Sequence, residues 1–164
     1  MTSIADLAAG ICACLPARYG ATVDYVLEIE RVATEAATRR VVVVPASVEA
    51  DPVARVAGAE RVAFDVCVLK KATDAEFPLL VEDVRKIARI LSGASVGGGF
   101  AVASVKTDPL YHPELWLEQG LFAGSARVEL IGVTPNEPDA GDDDWGDESS
   151  GGDESPGGAE GGEP

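Results

Sequence analysis

Histidine is almost missing from this chain: His112 stands alone among 164 residues. A metal centre with several imidazole ligands is therefore excluded. A general base at His112 would need acids and a pocket to converge on it, and Asp108 and Glu114 are its nearest candidates in sequence. The pattern HExxH is absent too, and with it the usual zinc-protease signature. Cysteine is sparse and odd in number, at positions 12, 14 and 67. Three thiols and one distant imidazole do not make a four-ligand zinc pattern, so they read as structural thiols. No apolar run is long enough to span a bilayer. The opening MTSIADLAAGICACL lacks a basic leader and carries Asp6, so no secretory signal is expected and no membrane partner.

The last 30 residues, Pro135 to Pro164, lack lysine and arginine altogether. They hold eight glycines, four prolines and 11 acidic residues, with Trp145 as the one large apolar side chain. Such a composition cannot bury enough apolar surface to offset its ordering entropy, and disorder is expected there. All 13 Lys and Arg and 17 of the 28 Asp and Glu precede it, so residues 1–134 carry −4 and 135–164 carry −11. A mildly acidic domain announces no nucleic-acid-binding face, and an acidic tail repels nucleic acid and anionic membrane. It suits a solubilising role or attraction to a basic partner.

What is present is amphipathic pattern. The segment Thr73 to Leu91, TDAEFPLLVEDVRKIARIL, repeats Phe77, Leu80, Val81, Val84, Ile87, Ala88 and Leu91 at steps of three and four. Thr73 and Glu76 have capping-box spacing, while Pro78 allows a start as late as Phe77. A helix with such a stripe must lie on something flat, and its neighbours read as strands. Ser3 to Leu15 predicts a first helix, capped by Ser3 with Asp6 in its first turn. Thr22–Arg31, Arg39–Val44, Glu60–Lys70, Phe100–Lys106 and Leu121–Val133 read as strands. Pro45 should end the second, and Ala46–Ala59 an irregular link. Ser95–Phe100, SVGGGF, is a flexible turn rather than a phosphate loop, since no Gly-Lys-Ser/Thr follows. Thr107–Gly120 reads as a loop. The expected fold is α+β, with a mostly antiparallel sheet of about five strands, the long helix on one face and an N-terminal helix.

Two constellations merit weighing. Asp24, Glu28 and Glu30 share one face of the first strand, but that is its wet face, where cross-strand pairing with Arg39, Arg40, Arg61 or Lys70 is the simpler role. Tyr111, His112, Leu115, Trp116, Leu117 and Phe122 concentrate aromatic and aliphatic groups within and just beyond the long loop. They suit either a protein interface or a cover over the sheet's own edge.

The element order, with FPLLVEDVRKIARIL on the helix, VAFDVCVLKK before it and DPLYHPELWLEQGLFAGSARVELIGV at the end, resembles the tail terminator and tail completion (neck) proteins of long-tailed bacteriophages and prophages. Leu117–Phe122, leading into a β-rich close, carries most of the likeness, which covers about residues 3–134 and omits the tail. The resemblance implies a virion structural protein, assembled in the host cytoplasm. It implies a ring of six copies that ends tail-tube polymerisation and joins tube to head connector. It implies no catalytic residue, no cofactor, no metal and no sequence-specific nucleic acid. Its partners would be itself, the tube protein and the connector. The competing expectation is a small cytosolic adaptor whose acidic tail engages a basic partner.

Overall fold

A computed structural model describes residues 2–25, 37–51 and 57–135. The fold is α+β, with a curled six-stranded sheet and helices over it. The first helix, α1, spans Ile4–Cys14. The Ser3 hydroxyl accepts from the Asp6 N–H, and the Asp6 carboxylate accepts in return from the Ser3 N–H, closing the expected cap. A 3₁₀ turn, Ala17–Tyr19, follows Pro16. The strands are β1 (Thr22–Val23), β2 (Arg40–Asp51), β3 (Ala57–Lys71), β4 (Ser95–Gly97), β5 (Phe100–Lys106) and β6 (Leu121–Pro135). The long helix, α2, spans Phe77–Ser92, and a short helix, α3, spans Pro113–Gln119. Spatial order is β1-β2-β3-β6-β5-β4.

The sheet departs from the expected one in four places. First, β1 runs parallel to β2, pairing Thr22 with Val42 and Val23 with Val43. Antiparallel pairing was expected from short links, yet residues 24–39 are long enough for the crossover a parallel pair requires. Of the predicted strand Thr22–Arg31, Thr22 and Val23 are strand, Asp24 and Tyr25 are not, and the rest lies outside the described residues. Second, the described residues form six strands where about five were expected. Gly97, Gly98 and Gly99 all take positive φ (87°, 64° and 80°), a reversal tight enough for Ser95 to pair with Ala101. Third, Pro45 does not end its strand. Among the described residues β2 has β3 as its only neighbour there, and the register shift between Pro45 and Ser47 is a bulge, the two settings in which a strand tolerates proline. The predicted link Ala46–Ala59 is thus mostly strand. Fourth, the predicted loop Thr107–Gly120 contains α3. Pro113 sits at its start, Glu114 in its first turn, and Gly120 closes it at φ 63°.

Burial is one-sided. Val41 and Val43 of β2, Val62, Phe64, Val66 and Val68 of β3, and Phe122, Val128 and Leu130 of β6 form one continuous core with the helices. From α2 it receives Leu80, Val84, Ile87 and Leu91, each contributing roughly 2 kcal/mol by its removal from water. From α1 it receives Leu7, Ala8 and Ile11. The other face carries a smaller cluster, Val42, Cys67, Leu69, Leu121 and Ala123, and then turns polar. Cys67 lies in that cluster, and burial, with Asp65 nearby, pushes its thiol up to about 12, which leaves it unreactive. Cys12 and Cys14 are half-buried, and all three are free thiols.

The curl shows in what α1 touches. It packs on β1 and β2 near one rim of the sheet and on β4 at the other. Gly10 makes the second contact possible: a Cβ there would lie 2.6 Å from the Val96 carbonyl oxygen and 2.8 Å from its Cγ1. Arg39 fastens the β2 rim to α2. Its guanidinium donates to Asp83 at 2.7 Å and to the Arg18 carbonyl at 2.7 Å, and lies 5.0 Å from the centre of the buried Tyr19 ring.

Glu76 precedes α2. Its carboxylate accepts from Lys70 Nζ, from the Thr73 N–H at 3.0 Å and from the Thr73 hydroxyl at 3.2 Å. The Lys70 bond first, and then the Thr73 N–H, hold its carboxyl well down, at about 2.

Two outcomes are expected. Gly10→Ala should destabilise by about 1–2 kcal/mol in urea unfolding, because crowding against the Val96 backbone outweighs the roughly 1 kcal/mol that alanine offers a helix. Glu76 has a folded value below its ordinary 4.5, so its contribution is complete above pH 4.5 and drains away as pH falls towards 2. Glu76→Gln should flatten the stability profile across that window, read by chemical denaturation at successive pH values.

Candidate functional site

The segment joining β5 to β6 folds over the end of the sheet. Tyr111 forms an isolated bridge with Gly124, and the His112 N–H donates to the Ala123 carbonyl at 2.9 Å. These bonds set α3 across the sheet's end, where its side chains divide between the two faces. Leu115 reaches the smaller cluster on the polar face, and Trp116 reaches the main core. The Ala72 N–H donating to the Gly120 carbonyl at 3.1 Å secures the far end of α3 beside β3.

An aromatic knot holds this arrangement to α2. The Phe77 ring lies 4.9 Å from Tyr111, edge-on, 4.8 Å from Trp116 and 5.4 Å from Phe122, and Tyr111 stacks on Phe122 at 6.1 Å. Such pairs are worth about 1 kcal/mol each beyond their burial. Gly124 admits α2 to the sheet: a Cβ would meet Val84 at 2.7 Å and the Leu110 carbonyl at 2.9 Å.

The six residues expected as an interface patch are thus split. Phe122 is 0% exposed and belongs to the core, so it presents nothing to a partner in this fold. Tyr111, Leu115 and Trp116 are half-buried against their own sheet and helix. His112 faces outward, and Leu117 is 81% exposed. Sequence reasoning missed Leu79, 68% exposed, two positions after Phe77 on α2, and Val48, 54% exposed, on the outer strand β2. Leu79 was legible in principle, since it falls off the apolar stripe of its helix. Val48 was hidden by placing residues 46–59 in an irregular link.

The polar face of the sheet carries cross-strand ion pairs. Arg127 donates to both Asp65 oxygens, at 2.9 and 3.0 Å, which raises the guanidinium's already high value. Glu129 accepts from Ser104 at 2.8 Å and from Lys106 at 3.3 Å, and these two bonds lower its carboxyl. A shallow depression of about 450 Å³ beside them is lined by Lys106, Asp108, His112 and Ser125 as well. His112 and Asp108 therefore do share a hollow. Both are exposed, and the acids Asp65 and Glu129 are bonded to cations of their own sheet. Among the described residues no three of His, Cys, Asp and Glu are grouped to hold a metal. Of the proposed carboxylate face, Asp24 donates its N–H to the Val43 carbonyl at 3.0 Å, and Glu28 and Glu30 lie outside the described residues. No described helix is long and apolar enough to cross a membrane.

No protein-family model matches the chain, and no curated protein matches it.

The split of the patch gives a paired expectation. Phe77→Ala should cost about 2–3 kcal/mol and red-shift the Trp116 emission, measured in a Trp145→Phe background. Leu117→Ser should change stability by less than about 0.5 kcal/mol, since its side chain is in water already.

Proposed function

We propose that this chain is a structural subunit that closes into a ring at the end of a phage tail tube, ending tube growth and meeting the head connector. It works by protein contact, with no reaction catalysed and no cofactor held. The observation that carries the reading is the curled sheet covered on one face, with α2 laid across it and an aromatic-bearing segment between the last two strands. That is the layout the resemblance implies.

The placement of exposed apolar groups supports it. A closed ring joins two different surfaces of neighbouring subunits. Leu79 and Leu117 lie beside the knot near the start of β6. Val48 lies on β2 opposite Val62, which pairs with Leu130, nine residues further along β6. At roughly 3.3 Å per residue the two places are about 30 Å apart, which suits a head-to-tail contact. The polar face between them, already paired within the subunit, is the surface left to face solvent or a tube lumen, and needs no sequence-specific contact with DNA.

Light scattering tests the reading. Six protomers of 16.9 kDa give a particle of roughly 100 kDa, and added protein should limit the length of assembling tail tubes. Val48→Asp and Leu117→Asp should each return the particle to monomer without unfolding it. A chain that stays monomeric at high concentration and leaves tubes unchanged would overturn the proposal, and a monomer that binds a basic partner through residues 135–164 would favour the adaptor instead.

A further inference from the structure

The charges of the described surface are uneven. On the polar face of the sheet, cations and acids alternate and bond to one another, as Arg127 with Asp65 and Lys106 with Glu129. The outward side of α2 is different. Arg85, Lys86 and Arg89 lie on it within little more than one turn, and all three are exposed. Glu82 is the acid among them and bonds Arg85 at 3.2 Å. Asp83, at the border of this side, is engaged by Arg39 at 2.7 Å. The strip keeps an excess of positive charge in a protein whose net charge is −15.

The balancing charge lies elsewhere in the chain. Residues 136–164 lie outside the described residues and carry 11 acids with no cation. Their point of departure is fixed by the sheet. The last residue of α2, Ser92, stands three residues before Ser95, which pairs with Ala101, which pairs with Ile131, four residues before the end of β6. Two strand spacings and three residues put Ile131 within about 20 Å of the C-terminal end of α2, and the four residues on to Pro135 add at most about 13 Å. Asp142, Asp143 and Asp144 follow Pro135 by seven to nine residues, a reach of roughly 23–30 Å when extended. Asp147 and Glu148 follow it by twelve and thirteen residues, a reach of roughly 40–47 Å when extended. The knot at the other end of the sheet, some 14 residues back along β6, is too remote for Trp145 to serve as its cover.

We propose that the outward strip of α2, Arg85, Lys86 and Arg89, is the docking surface for the chain's own acidic stretch, centred on Asp142–Glu148. Tethering supplies an effective concentration on the order of millimolar, enough for a few exposed charge pairs that would not hold a free peptide. The contact is exchanging and salt-sensitive, because its three cations are exposed and the Debye length is about 10 Å at 0.1 M salt. While docked, the stretch withholds this strip from other polyanions, nucleic acid included. The inference does not depend on ring formation.

Carbodiimide coupling of the full-length chain, read by peptide mass spectrometry, tests it. Lys86 is the amine of the strip, and Lys71 and Lys106 are exposed amines elsewhere. Isopeptide bonds from Lys86 to carboxyls 142–148 should form within single chains. They should exceed those from Lys71 and Lys106 several-fold, and disappear at high salt. Arg85→Gln with Arg89→Gln, both exposed positions that leave the core untouched, should reduce the Lys86 yield several-fold. Equal coupling at all three lysines would overturn the proposal. So would a Lys86 yield indifferent to the double substitution or to salt, and so would coupling found only between chains.

Discussion

The fold depends on one helix touching a sheet at both ends of its width. In α1, Leu7, Ala8 and Ile11 face the core, and the helix contacts β1 and β2 on one side and β4 on the other. Five hydrogen-bonded steps separate β1 from β4, so a flat sheet would hold them about 24 Å apart, well beyond the roughly 16 Å length of the eleven-residue α1. The sheet must curl, and the curl gives it an inside. Bulges at Pro45/Ser47 on β2 and at Val102/Ser104 on β5 stand on either side of the central pair β3–β6, where local bending lets the outer strands turn inward.

Once the sheet has an inside, the alternation of its strands acquires meaning. Val62, Phe64, Val66 and Val68 of β3 and Phe122, Val128 and Leu130 of β6 fill the curl, and the odd-numbered Cys67, Leu69, Leu121 and Ala123 form the cluster on the outer face. Close approach of the helices then requires missing side chains. Gly10 lets α1 reach β4, and Gly124 lets α2 settle over β6 through Val84. At Gly132 the Phe100 ring occupies the vacancy instead, with ring carbons 2.7–2.8 Å from where a Cβ would stand. Three glycines with ordinary backbone angles are thus fixed by packing, whereas Gly97–Gly99 are fixed by the turn they make.

This division explains which parts of the molecule are legible in the sequence. The stripe of α2 and the alternation of β3, β5 and β6 encode burial directly, and each lies where its period places it. So does the Ser3–Asp6 cap, which is a local bond. The β1–β2 pairing was not legible, because strand direction depends on a connection whose length permits either sense. Nor was the passage of β2 through Pro45, since what tolerates proline there is a bulge and an outer position, both properties of the assembled sheet. Of the six interface candidates, His112 and Leu117 face outward as required, but Phe122 is buried. A Tyr, a Trp and a Phe close together in sequence look alike whether they meet a partner or each other. The deciding residue is Phe77, more than thirty positions earlier, whose ring contacts all three.

The outer face bears on how such a subunit would assemble. A sheet buried on one side must show the other to something, and an apolar outer face would pair indiscriminately. Here the apolar part of that face, Val42, Cys67, Leu69, Leu121 and Ala123, is partly roofed by Leu115 of α3. Beyond it, Asp65 is matched by Arg127, and Glu129 by Ser104 and Lys106. Each exposed pair contributes less than about 1 kcal/mol to stability, so stability is a poor reason for the ladder. Its stronger effect is on association: a second sheet stacking here would have to desolvate charges already satisfied, with no new partner to offset the loss. That leaves the rims, where Val48, Leu79 and Leu117 stand in water without such pairing. On the ring reading, contact between subunits is directed to the edges of the sheet because its broad face has been made unrewarding.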